Sequence, residues 1–502
     1  MSVSLFSIIA ELSNATLSGQ APSKKAGVSA VCVDSRKSSE DSLFVCIKGF
    51  TSDGHAYARK AYDQGCRYFL VERILDLPDD ALQILVPDTR IAEAEAAAAF
   101  YGHPEREMDL FAITGTKGKT TTALFLQKIL NDAGVPTGYM GTNGIIFGDK
   151  HYPTVNSTPD SLLIYAYLRE MLDAGMIAAV MEVSSQGLKL YRTYGLSFRV
   201  CAFTNLSPDH IGGNEHPDMA DYAACKHRLF TDYPHDFTVC NLDDPALPDM
   251  TKGDPADIVG FSTKGHPDAA WTTTAIQGVI RNGIPGMEYG LKIQGLALSH
   301  MHFLPQPGEF NVKNALCAMA MAHLIYGIPV ENACKSLETA TVPGRFETVF
   351  HDHVLYVIDY AHNAVSMASM LDLLRSYHPE RLICLFGSVG ERTKERRREL
   401  AEVTGIRADL CILTSDNPGR EDPEAILREI DAAYPEGSCP RVMISDRTEA
   451  VAYAVSVARP GDMILLAGKG HETYQLVGEQ KVAYREKNVL LNALSDYASG
   501  NS

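Results

Sequence analysis

The chain has 502 residues, 45% of them apolar. This is ordinary for a globular protein but too long for one hydrophobic core, so about two to four domains are expected. The net charge of −17 excludes broad, non-specific nucleic-acid binding, because such binding needs a basic face. An anionic ligand is not excluded, since a local basic pocket can exist within a negatively charged protein.

The eleven cysteines are scattered singly, without a C-x-x-C pair. This spacing predicts reduced, mostly buried thiols and not a disulfide framework or a zinc site. The N-terminal segment has a short apolar patch with no basic residue ahead of it, and no run reaches about 18 apolar residues. We therefore expect neither a signal peptide nor a membrane span, and a cytoplasmic location.

The first block of the chain, up to about residue 104, alternates strand and helix patterns. The patterns predict strands at residues 28–33, 43–47, 68–71 and 83–86. An alanine-rich stretch at residues 91–101 predicts a helix. Gly102, His103 and Pro104 then predict a hinge before the next block.

The middle block opens with residues 113–122, which read ITGTKGKTTT. An apolar strand pattern precedes them, and a helical pattern that stops at Gly134 follows them. Backbone N–H groups in a glycine-rich turn that opens a helix can bind phosphate oxygens. Lys119 would reach the terminal phosphates, and Thr120 would offer its hydroxyl to Mg²⁺. The stretch predicts nucleotide binding, although so short a motif also occurs by chance in surface loops.

Two later strands of this block end in polar residues. Glu182 ends the strand at residues 178–183, and Asp209 and His210 follow the strand at residues 200–204. Ligands of open parallel sheets bind beyond the carboxyl ends of the strands, and carboxylates suit Mg²⁺. Glu182 is thus a metal ligand or a solvated strand-end carboxylate, and His210 a second metal ligand or a structural residue. Lys226, on a predicted helix, is by itself typical of a surface lysine.

The remainder of the chain predicts a β-hairpin and a second sheet. Residues 265–305 alternate in polarity around a turn at residues 281–283, and a helix pattern follows at residues 311–326. After Pro343 and Gly344, strands and helices alternate again, which predicts a second, smaller α/β sheet. Four of its strands end in polar or glycine-rich residues, at 359–363, 387–392, 414–418 and 467–472. Each could be only a turn, but together they predict a substrate cleft.

These motifs, in this order, resemble the Mur ligase family, the ATP-dependent amide ligases of peptidoglycan precursor synthesis. The resemblance covers almost the whole chain and rests on residues 114–121, 156–159, 181–185, 205–210, 226, 311–314, 343–347, 359–362 and 468–472. Residues 34–36 and 53–55 resemble the branch that adds a diamino acid to UDP-N-acetylmuramoyl-L-alanyl-D-glutamate. The implied reaction passes through an acyl phosphate that the amine of the amino acid attacks.

The resemblance implies an α/β fold of three domains. These are an N-terminal α/β UDP-substrate domain at residues 1–105, a central ATPase domain with a P-loop-type parallel sheet at residues 106–340, and a Rossmann-like α/β amino-acid-binding domain at residues 341–502. It implies ATP and Mg²⁺ as cofactors, and the UDP-muramoyl dipeptide and a diamino acid as substrates. We expect a monomer, with no nucleic-acid partner.

The family also implies a role for individual residues. ATP would contact Gly115, Thr116, Lys117, Gly118, Lys119, Thr120, Thr121, Asn311, Arg345 and Asp359. The UDP-muramoyl dipeptide would contact Ser35, Asn156, Ser157, Thr158, Ser184 and Arg192. The amino acid would contact Arg392, Asp416, Asn417, Gly468 and Glu472. The catalytic set would be Lys119, Glu182, His210 and Lys226, with Thr120 and Glu182 on one Mg²⁺ and His210 and a carbamylated Lys226 on another.

The identity of the amino acid depends on the residue after Pro418. In the family, enzymes that take meso-diaminopimelate usually carry Arg there, because Arg forks onto the distal carboxylate. Here Gly419 occupies the position and Arg420 comes one residue late. We therefore expect L-lysine or a similar acceptor, whose distal ammonium could pair with Asp416 and Glu472. Meso-diaminopimelate is the alternative.

Two other classes of function remain open. One is another ligase of the superfamily, such as a folylpolyglutamate synthase-like enzyme or a ligase for an earlier or later muramoyl peptide step. The other is a non-catalytic, nucleotide-binding regulatory protein. Because Lys119, Glu182, His210 and Lys226 are all present, the second class is disfavoured.

Overall fold

The computed structural model describes residues 2–20, 23, 26–50, 52–209, 211–212, 215–294, 296–391 and 394–500. The chain forms two compact units. The first comprises residues 1–273, 292–296 and 313–336, and the second comprises residues 274–291, 297–312 and 337–502. The division into three domains at residues 105 and 340 stays a prediction.

The N-terminal part of the first unit contains a small sheet covered by helices. Its elements are β1 (Val3–Ser4), α1 (Leu5–Glu11), β2 (Thr16–Ser18), β3 (Gly27–Val28), β4 (Ala30–Cys32), β5 (Ser42–Val45), α2 (Ala58–Asp63), β6 (Tyr68–Val71), β7 (Leu82–Leu85) and α3 (Thr89–Tyr101). The sheet order is β2-β7-β6-β5-β4, and only β2 is antiparallel to its neighbour. The strand expected at residues 28–33 is divided into the short strands β3 and β4.

The larger sheet begins just after this part. Its elements are β8 (Asp109–Thr114), α4 (Lys119–Asp132), β9 (Thr137–Gly141), β10 (Gly144–Phe147), β11 (Lys150–Tyr152), α5 (Ser161–Asp173), β12 (Ala178–Glu182), α6 (Ser185–Lys189), β13 (Phe198–Phe203), α7 (Met219–Thr231), β14 (His235–Asn241), α8 (Leu247–Met250), β15 (Asp257–Ser262), β16 (Trp271–Arg281), β17 (Ile284–Ile293), β18 (Leu296–Leu304), α9 (Glu309–Tyr326) and α10 (Val330–Leu337).

The order of the eleven strands explains how distant residues meet. It is β11-β10-β9-β12-β8-β13-β14-β15-β16-β17-β18. Strands β9, β12, β8, β13, β14 and β15 are mutually parallel, and Glu182 on β12 pairs with Ile113 on β8. Since β12, β8 and β13 are neighbours, their carboxyl ends lie at one edge, which confirms the expected convergence of three strand ends.

The predicted β-hairpin is present between β16 and β17. Asn282 and Gly283 occupy its turn with φ angles of 53° and 79°. Two consecutive left-handed residues are typical of the tight turns whose twist matches that of antiparallel strands. The Arg-Asn-Gly signal in the sequence therefore located this turn correctly.

The second unit contains a six-stranded sheet. From residue 347 onward, the elements of this unit are β19 (Glu347–His351), β20 (Val354–Asp359), α11 (Ala364–Arg375), β21 (Leu382–Phe386), α12 (Lys394–Gly405), β22 (Leu410–Leu413), α13 (Pro423–Ala432), β23 (Arg441–Met443), α14 (Arg447–Val457), β24 (Met463–Ala467), β25 (Tyr474–Val477), β26 (Gln480–Ala483) and α15 (Glu486–Gly500). The order is β19-β20-β24-β21-β22-β23, and all pairs except β19 with β20 are parallel.

Both faces of this sheet are buried. On β20, Leu355 and Val357 pack into one hydrophobic cluster, whereas Tyr356 and Ile358 pack into the cluster on the other face. Helices on both faces account for this, because alternate side chains of a strand point to opposite sides. The four predicted strand ends belong to β20, β24, β21 and β22, which are neighbours, so the residues predicted for a substrate cleft lie along one edge of the sheet.

All eleven cysteines are free thiols within the described ranges, and all but Cys439 are buried. This confirms that most of the cysteines are buried, as predicted. Within the part of the chain that the structure describes, no helix combines the length and the apolar character that crossing a bilayer requires.

Candidate active site

The glycine-rich loop, residues 115–118, joins β8 to α4. Gly115 and Gly118 have φ angles of 145° and 86°, which glycine adopts without strain. A Cβ on Gly115 would lie 2.0 Å from Thr204 Oγ1, so a larger residue does not fit. Lys119 begins α4, and its Nζ donates to the carbonyls of Gly115 (2.8 Å) and Thr116 (3.1 Å). A glycine-rich turn that leads directly into the N-terminus of a helix, as this loop leads into α4, is an arrangement that favours phosphate binding.

The end of β13 supports this loop. Asn205 accepts hydrogen bonds from Thr116 N at its carbonyl (2.8 Å) and from Lys117 N at Oδ1 (3.0 Å). The Lys117 carbonyl accepts from Asn205 Nδ2 (2.8 Å) and Thr204 Oγ1 (2.7 Å). Sequence reasoning assigned no role to Asn205. The feature that could have identified Asn205 is its position just after β13, the strand that neighbours β8.

Lys226 is buried beside the loop and is not a surface residue. It lies on α7 with 1% of its surface exposed, and its Nζ donates to the Gly115 carbonyl at 2.9 Å. The Tyr222 ring lies 4.7 Å from the same Nζ. Burial, and after it the charge of Lys119, lower the pKa of Lys226 well below its ordinary value. The interpretation of Lys226 as a surface lysine is wrong.

Glu182 is also buried, so the interpretation as a solvated strand end is wrong. Its Oε2 accepts from Thr120 Oγ1 (2.9 Å), and its Oε1 accepts from Tyr139 O–H (2.5 Å) and Thr142 N (2.9 Å). A carboxylate beside a threonine hydroxyl is an oxygen donor set that suits a hard cation. Tyr139 and Thr142 were missed, because they lie on and just after β9, a strand that the sequence analysis did not identify.

A cavity of about 190 Å³ lies at this edge of the sheet. The predicted residues that line it are Lys119, Asn156, Ser157, Ser184, Arg192 and Lys226. Thr158 lies beneath them: its Oγ1 donates to the Glu182 carbonyl (2.9 Å), and its own carbonyl accepts from Arg192 Nη1 (2.9 Å). Thus five of the six residues predicted for the muramoyl dipeptide meet here. Ser35, the sixth, begins a short 3₁₀ helix in the N-terminal part.

In the second unit, Asp359 organises the turn that carries Arg345. Its Oδ2 accepts from Phe346 N (2.9 Å) and its Oδ1 from Ala361 N (2.7 Å). Burial raises the pKa of Asp359, and the nearby Arg345 opposes this rise. The Arg345 guanidinium lies 5.1 Å from the centroid of the Tyr360 ring. The contacts of Arg345 and Asp359 with ATP stay predictions.

The residues predicted for the amino acid form a cluster around Lys469. Its Nζ donates to Asn417 Oδ1 (2.8 Å) and Glu472 Oε2 (2.7 Å) and lies 3.6 Å from Asp416 Oδ1. A Cβ on Gly468 would lie 3.0 Å from Asp416 Oδ2. Lys469 is fully buried, and sequence reasoning gave it no role. The ammonium of Lys469 lies beside Asp416 and Glu472, where the sequence analysis expected the distal ammonium of an L-lysine substrate.

A buried ion pair between Arg447 and Glu486 holds the backbone segments that carry this cluster. Arg447 Nε lies 2.9 Å from Glu486 Oε2, and both side chains are inaccessible to solvent. The same guanidinium donates to the carbonyls of Ser415 (3.2 Å) and Ala467 (2.8 Å). Arg447 therefore fixes the chain just after β22 and the end of β24, the two positions from which the cluster side chains extend.

The segment after Pro418 runs toward the hairpin of β25 and β26. Gly419 has a φ angle of 59°, and its N–H donates to the Leu476 carbonyl at 3.1 Å. Arg420 is 69% exposed and pairs with Glu479. Arg420 therefore lies at the surface, in an ion pair with Glu479.

Two predicted site residues, His210 and Arg392, lie outside the described residues, and their roles stay predictions. Asn311 is described and buried, and its Nδ2 donates to the Pro307 carbonyl at 2.8 Å. Its contact with ATP also stays a prediction.

Three family models match the chain. They are the Mur ligase family catalytic domain at residues 27–101, the Mur ligase middle domain at residues 113–322 and the Mur ligase glutamate ligase domain at residues 344–470. Together they account for most of the sequence, in the order that the motifs predicted.

Curated relatives match over nearly the whole length. The UDP-N-acetylmuramoyl-L-alanyl-D-glutamate–2,6-diaminopimelate ligase of Caldanaerobacter subterraneus is 37% identical over 470 residues, which are 93% of this chain and 95% of the relative. Enzymes with the same name are 35% identical in Geobacillus thermodenitrificans and 33% identical in Clostridium perfringens; each match covers 92% of this chain and 94% of the relative.

Solved structures share the fold. A UDP-N-acetylmuramoyl-L-alanyl-D-glutamate–2,6-diaminopimelate ligase has a TM-score of 0.71 at 24% identity, over 99% of this chain and 100% of the other. MurF ligase from Thermotoga maritima, in complex with ADP, has a TM-score of 0.61 at 17% identity, over 94% and 98%. A Mycobacterium tuberculosis folylpolyglutamate synthase also has a TM-score of 0.61, at 19% identity, but covers 75% of this chain and 92% of its own. With the curated relatives and the family models, these findings show that the chain belongs to the Mur ligase family and is an ATP-dependent acid–amino-acid ligase.

Proposed function

We propose that this ligase adds meso-diaminopimelate to the D-glutamyl γ-carboxylate of UDP-N-acetylmuramoyl-L-alanyl-D-glutamate. The observation that carries the proposal is the convergence on one cavity of Lys119, Lys226 and the residues predicted for the muramoyl dipeptide. A phosphate-binding loop beside a cavity rich in hydroxyl and cationic groups suits the transfer of a phosphoryl group to a bound carboxylate.

The choice of amino acid departs from the sequence expectation. L-lysine is not supported, because the relatives described above are 2,6-diaminopimelate ligases that match 92–93% of this chain. The cluster geometry agrees with the alternative. Lys469 already neutralises Glu472 at 2.7 Å, so this carboxylate offers little attraction to the single distal ammonium of L-lysine. Meso-diaminopimelate carries both an ammonium and a carboxylate at its distal end, and both can bind to a cluster of mixed charge.

The proposed reaction passes through an acyl phosphate. The γ-carboxylate attacks the γ-phosphorus of ATP, the bond to the ADP oxygen breaks, and the amine then displaces phosphate from the acyl phosphate. Lys119, over the glycine-rich loop, would neutralise the oxygens of the transferring phosphoryl group. Arg192 and Ser184 would hold the dipeptide, with Ser35 as a proposed contact of the UDP group.

The donor set at the sheet edge fits Mg²⁺, because the buried Glu182 carboxylate and the Thr120 hydroxyl lie 2.9 Å apart. These residues would hold one ion, and His210 with a carbamylated Lys226 would hold a second. When bound, Mg²⁺ supplies charge neutralisation for the phosphoryl group. Burial lowers the pKa of Lys226, which favours the neutral amine that carbamylation by CO₂ requires.

The direct test of the loop is Lys119→Ala. We expect this variant to lose amino-acid-dependent ADP release, because it removes the positive charge that would neutralise the oxygens of the transferring phosphoryl group. Lys128→Ala is the matched control, since Lys128 lies on the same helix and forms an i,i+4 ion pair with Asp132. Near-normal turnover of Lys119→Ala would refute the nucleotide-binding assignment.

The test of the acceptor is a comparison of kcat/KM for meso-diaminopimelate, L-lysine and L-ornithine with the same UDP-muramoyl dipeptide. We expect meso-diaminopimelate to be preferred. A preference for L-lysine would restore the expectation based on Gly419, and a requirement for a folate acceptor would refute the muramoyl substrate.

A further inference from the structure

Three side chains of the first unit form a hydrogen-bonded chain that ends at the active-site cavity. His216 Nδ1 lies 2.6 Å from Asp221 Oδ2, and His216 Nε2 lies 2.8 Å from Ser185 Oγ. Ser185 and His216 are 4% and 1% exposed. Ser185 lines the cavity together with Lys119, Lys226 and Ser184. None of the roles assigned above uses this chain of contacts.

The order of the three groups fixes the direction of each hydrogen bond. Asp221 is an ion-pair partner of Lys189, whose Nζ lies 2.7 Å from the same Oδ2, so its carboxylate can only accept. Nδ1 of His216 therefore donates to this carboxylate, and in the tautomer with its proton on Nδ1 the other ring nitrogen, Nε2, is an acceptor. It follows that the Ser185 hydroxyl donates its single proton to Nε2. The Ser185 oxygen then has only lone pairs to offer to a ligand in the cavity.

We propose that Ser185 binds a substrate N–H group through its oxygen, and that His216 and Asp221 are positioning residues that hold Ser185 in this accepting orientation. The inference rests on the proposed function, which supplies two N–H groups. One is the amide N–H of the D-glutamyl residue in the muramoyl dipeptide, and the other is the amino group of the incoming amino acid. A carboxylate or phosphate oxygen is disfavoured at Ser185, because the hydroxyl has no second proton to donate.

A metal ion is a poorer explanation of the same residues. His216, Asp221 and Cys225 place one donor atom each within 4.8 Å of one another. However, the Asp221 oxygen that would bind the ion already contacts both His216 and the Lys189 ammonium. A cation there would be repelled by the Lys189 ammonium. The hydrogen-bonded chain, in contrast, accounts for the contacts of Asp221 with both His216 and Lys189.

The experiment compares four variants with the wild-type enzyme. Ser185→Ala removes the acceptor, and His216→Leu removes its support. In His216→Gln, the amide oxygen can accept from Ser185 while the amide N–H donates to Asp221, so the conservative variant keeps the polarity. We expect Ser185→Ala and His216→Leu each to lower kcat/KM about tenfold and His216→Gln to restore most of it. The double variant Ser185→Ala/His216→Leu should be no worse than either single variant, because the two act as one unit.

Separate kinetic measurements identify which N–H is bound. If the dipeptide amide is bound, Ser185→Ala raises KM for the UDP-muramoyl dipeptide and slows formation of the acyl phosphate, measured by trapping with hydroxylamine. If the incoming amine is bound, trapping is unchanged and KM for the amino acid rises. In both cases KM for ATP should stay constant.

A purely structural role would give a different result. It would lower the thermal midpoint of Ser185→Ala but leave both KM values within about twofold of wild type. A twofold change is smaller than the loss of a hydrogen bond to the substrate produces. This result would overturn the proposal. Equal damage from His216→Gln and His216→Leu would overturn the role of His216. Failure of the proposed function would show instead as a wild-type enzyme without ligase product, and the inference would fail with it.

Discussion

Lys469 Nζ lies 2.7 Å from Glu472 Oε2, three residues further along the loop after β24, and both groups contact Asn417. Together with Asp416, this pair sets the charge of the cluster around Lys469. A carboxylate that is already paired with an internal ammonium is a weak partner for a ligand cation, because a second cation must compete with the first.

Replacing Lys469 should therefore change acceptor selection. In Lys469→Met, Glu472 and Asp416 lose their buried cation, and we expect kcat/KM for meso-diaminopimelate to fall about a hundredfold. L-lysine should lose less, since its ammonium can partly replace the missing one. KM for ATP should not change. The exposed Lys481, which contacts Tyr474 in the neighbouring hairpin, provides Lys481→Met as the control. An equal loss for both amino acids would contradict the assignment.

Glu182→Gln tests the metal site. The amide keeps the size of the side chain but removes its charge, so we expect the Mg²⁺ concentration for half-maximal activity to rise at least about tenfold. The measurement is a Mg²⁺ titration of ADP release after treatment with a chelator. Glu170→Gln, at a half-exposed carboxylate that pairs with Lys150, is the control. An unchanged Mg²⁺ dependence would remove Glu182 from the metal site.

Glu93 makes stability depend on pH. This buried carboxyl on α3 accepts from Leu162 N at 3.4 Å, and burial, with Asp160 as a smaller cause, raises its pKa from 4.5 to about 7. Between these values the unfolded chain is ionised while the folded chain keeps its proton, so the contribution of Glu93 to stability falls as pH rises through this window.

We therefore expect Glu93→Gln to be more stable than the wild type at about pH 8, by up to about 3 kcal/mol. The difference should shrink as the pH is lowered toward 4.5. Urea unfolding at several pH values measures it. A difference that does not change with pH would show that Glu93 ionises normally in the folded protein.

The Arg447–Glu486 pair should stabilise the second unit. In Arg447→Met the Glu486 charge stays buried without its partner, and the carbonyls of Ser415 and Ala467 lose a donor. We expect a loss of about 3–5 kcal/mol, measured by urea unfolding. Arg447→Met/Glu486→Leu should recover part of this loss, because no buried charge remains. Arg398→Met, at an exposed pair with Glu402, should cost less than about 1 kcal/mol. Equal effects of the single buried and exposed variants would contradict the role of burial.

Much of the site was accessible from local patterns. The glycine-rich turn between an apolar strand and a helix located residues 115–121, and polar residues after apolar runs located Glu182, Asp359 and Asp416. These signals are strong because a strand end, a turn and a helix start are each specified by a few consecutive residues. They failed where a strand is short or irregular, as at β9, whose Tyr139 and the following Thr142 bind Glu182.

The sequence by itself determined the class of fold, the position of the glycine-rich loop and the membership of an amide ligase family, because these depend on local periodicity and on an ordered set of motifs. Only the tertiary structure decided which side chains meet. The order of the strands places Lys226 beneath the loop, Lys469 between Asn417 and Glu472, and His216 behind Ser185. These contacts join residues from different strands and helices, so their distances depend on sheet order and packing, which no local pattern contains.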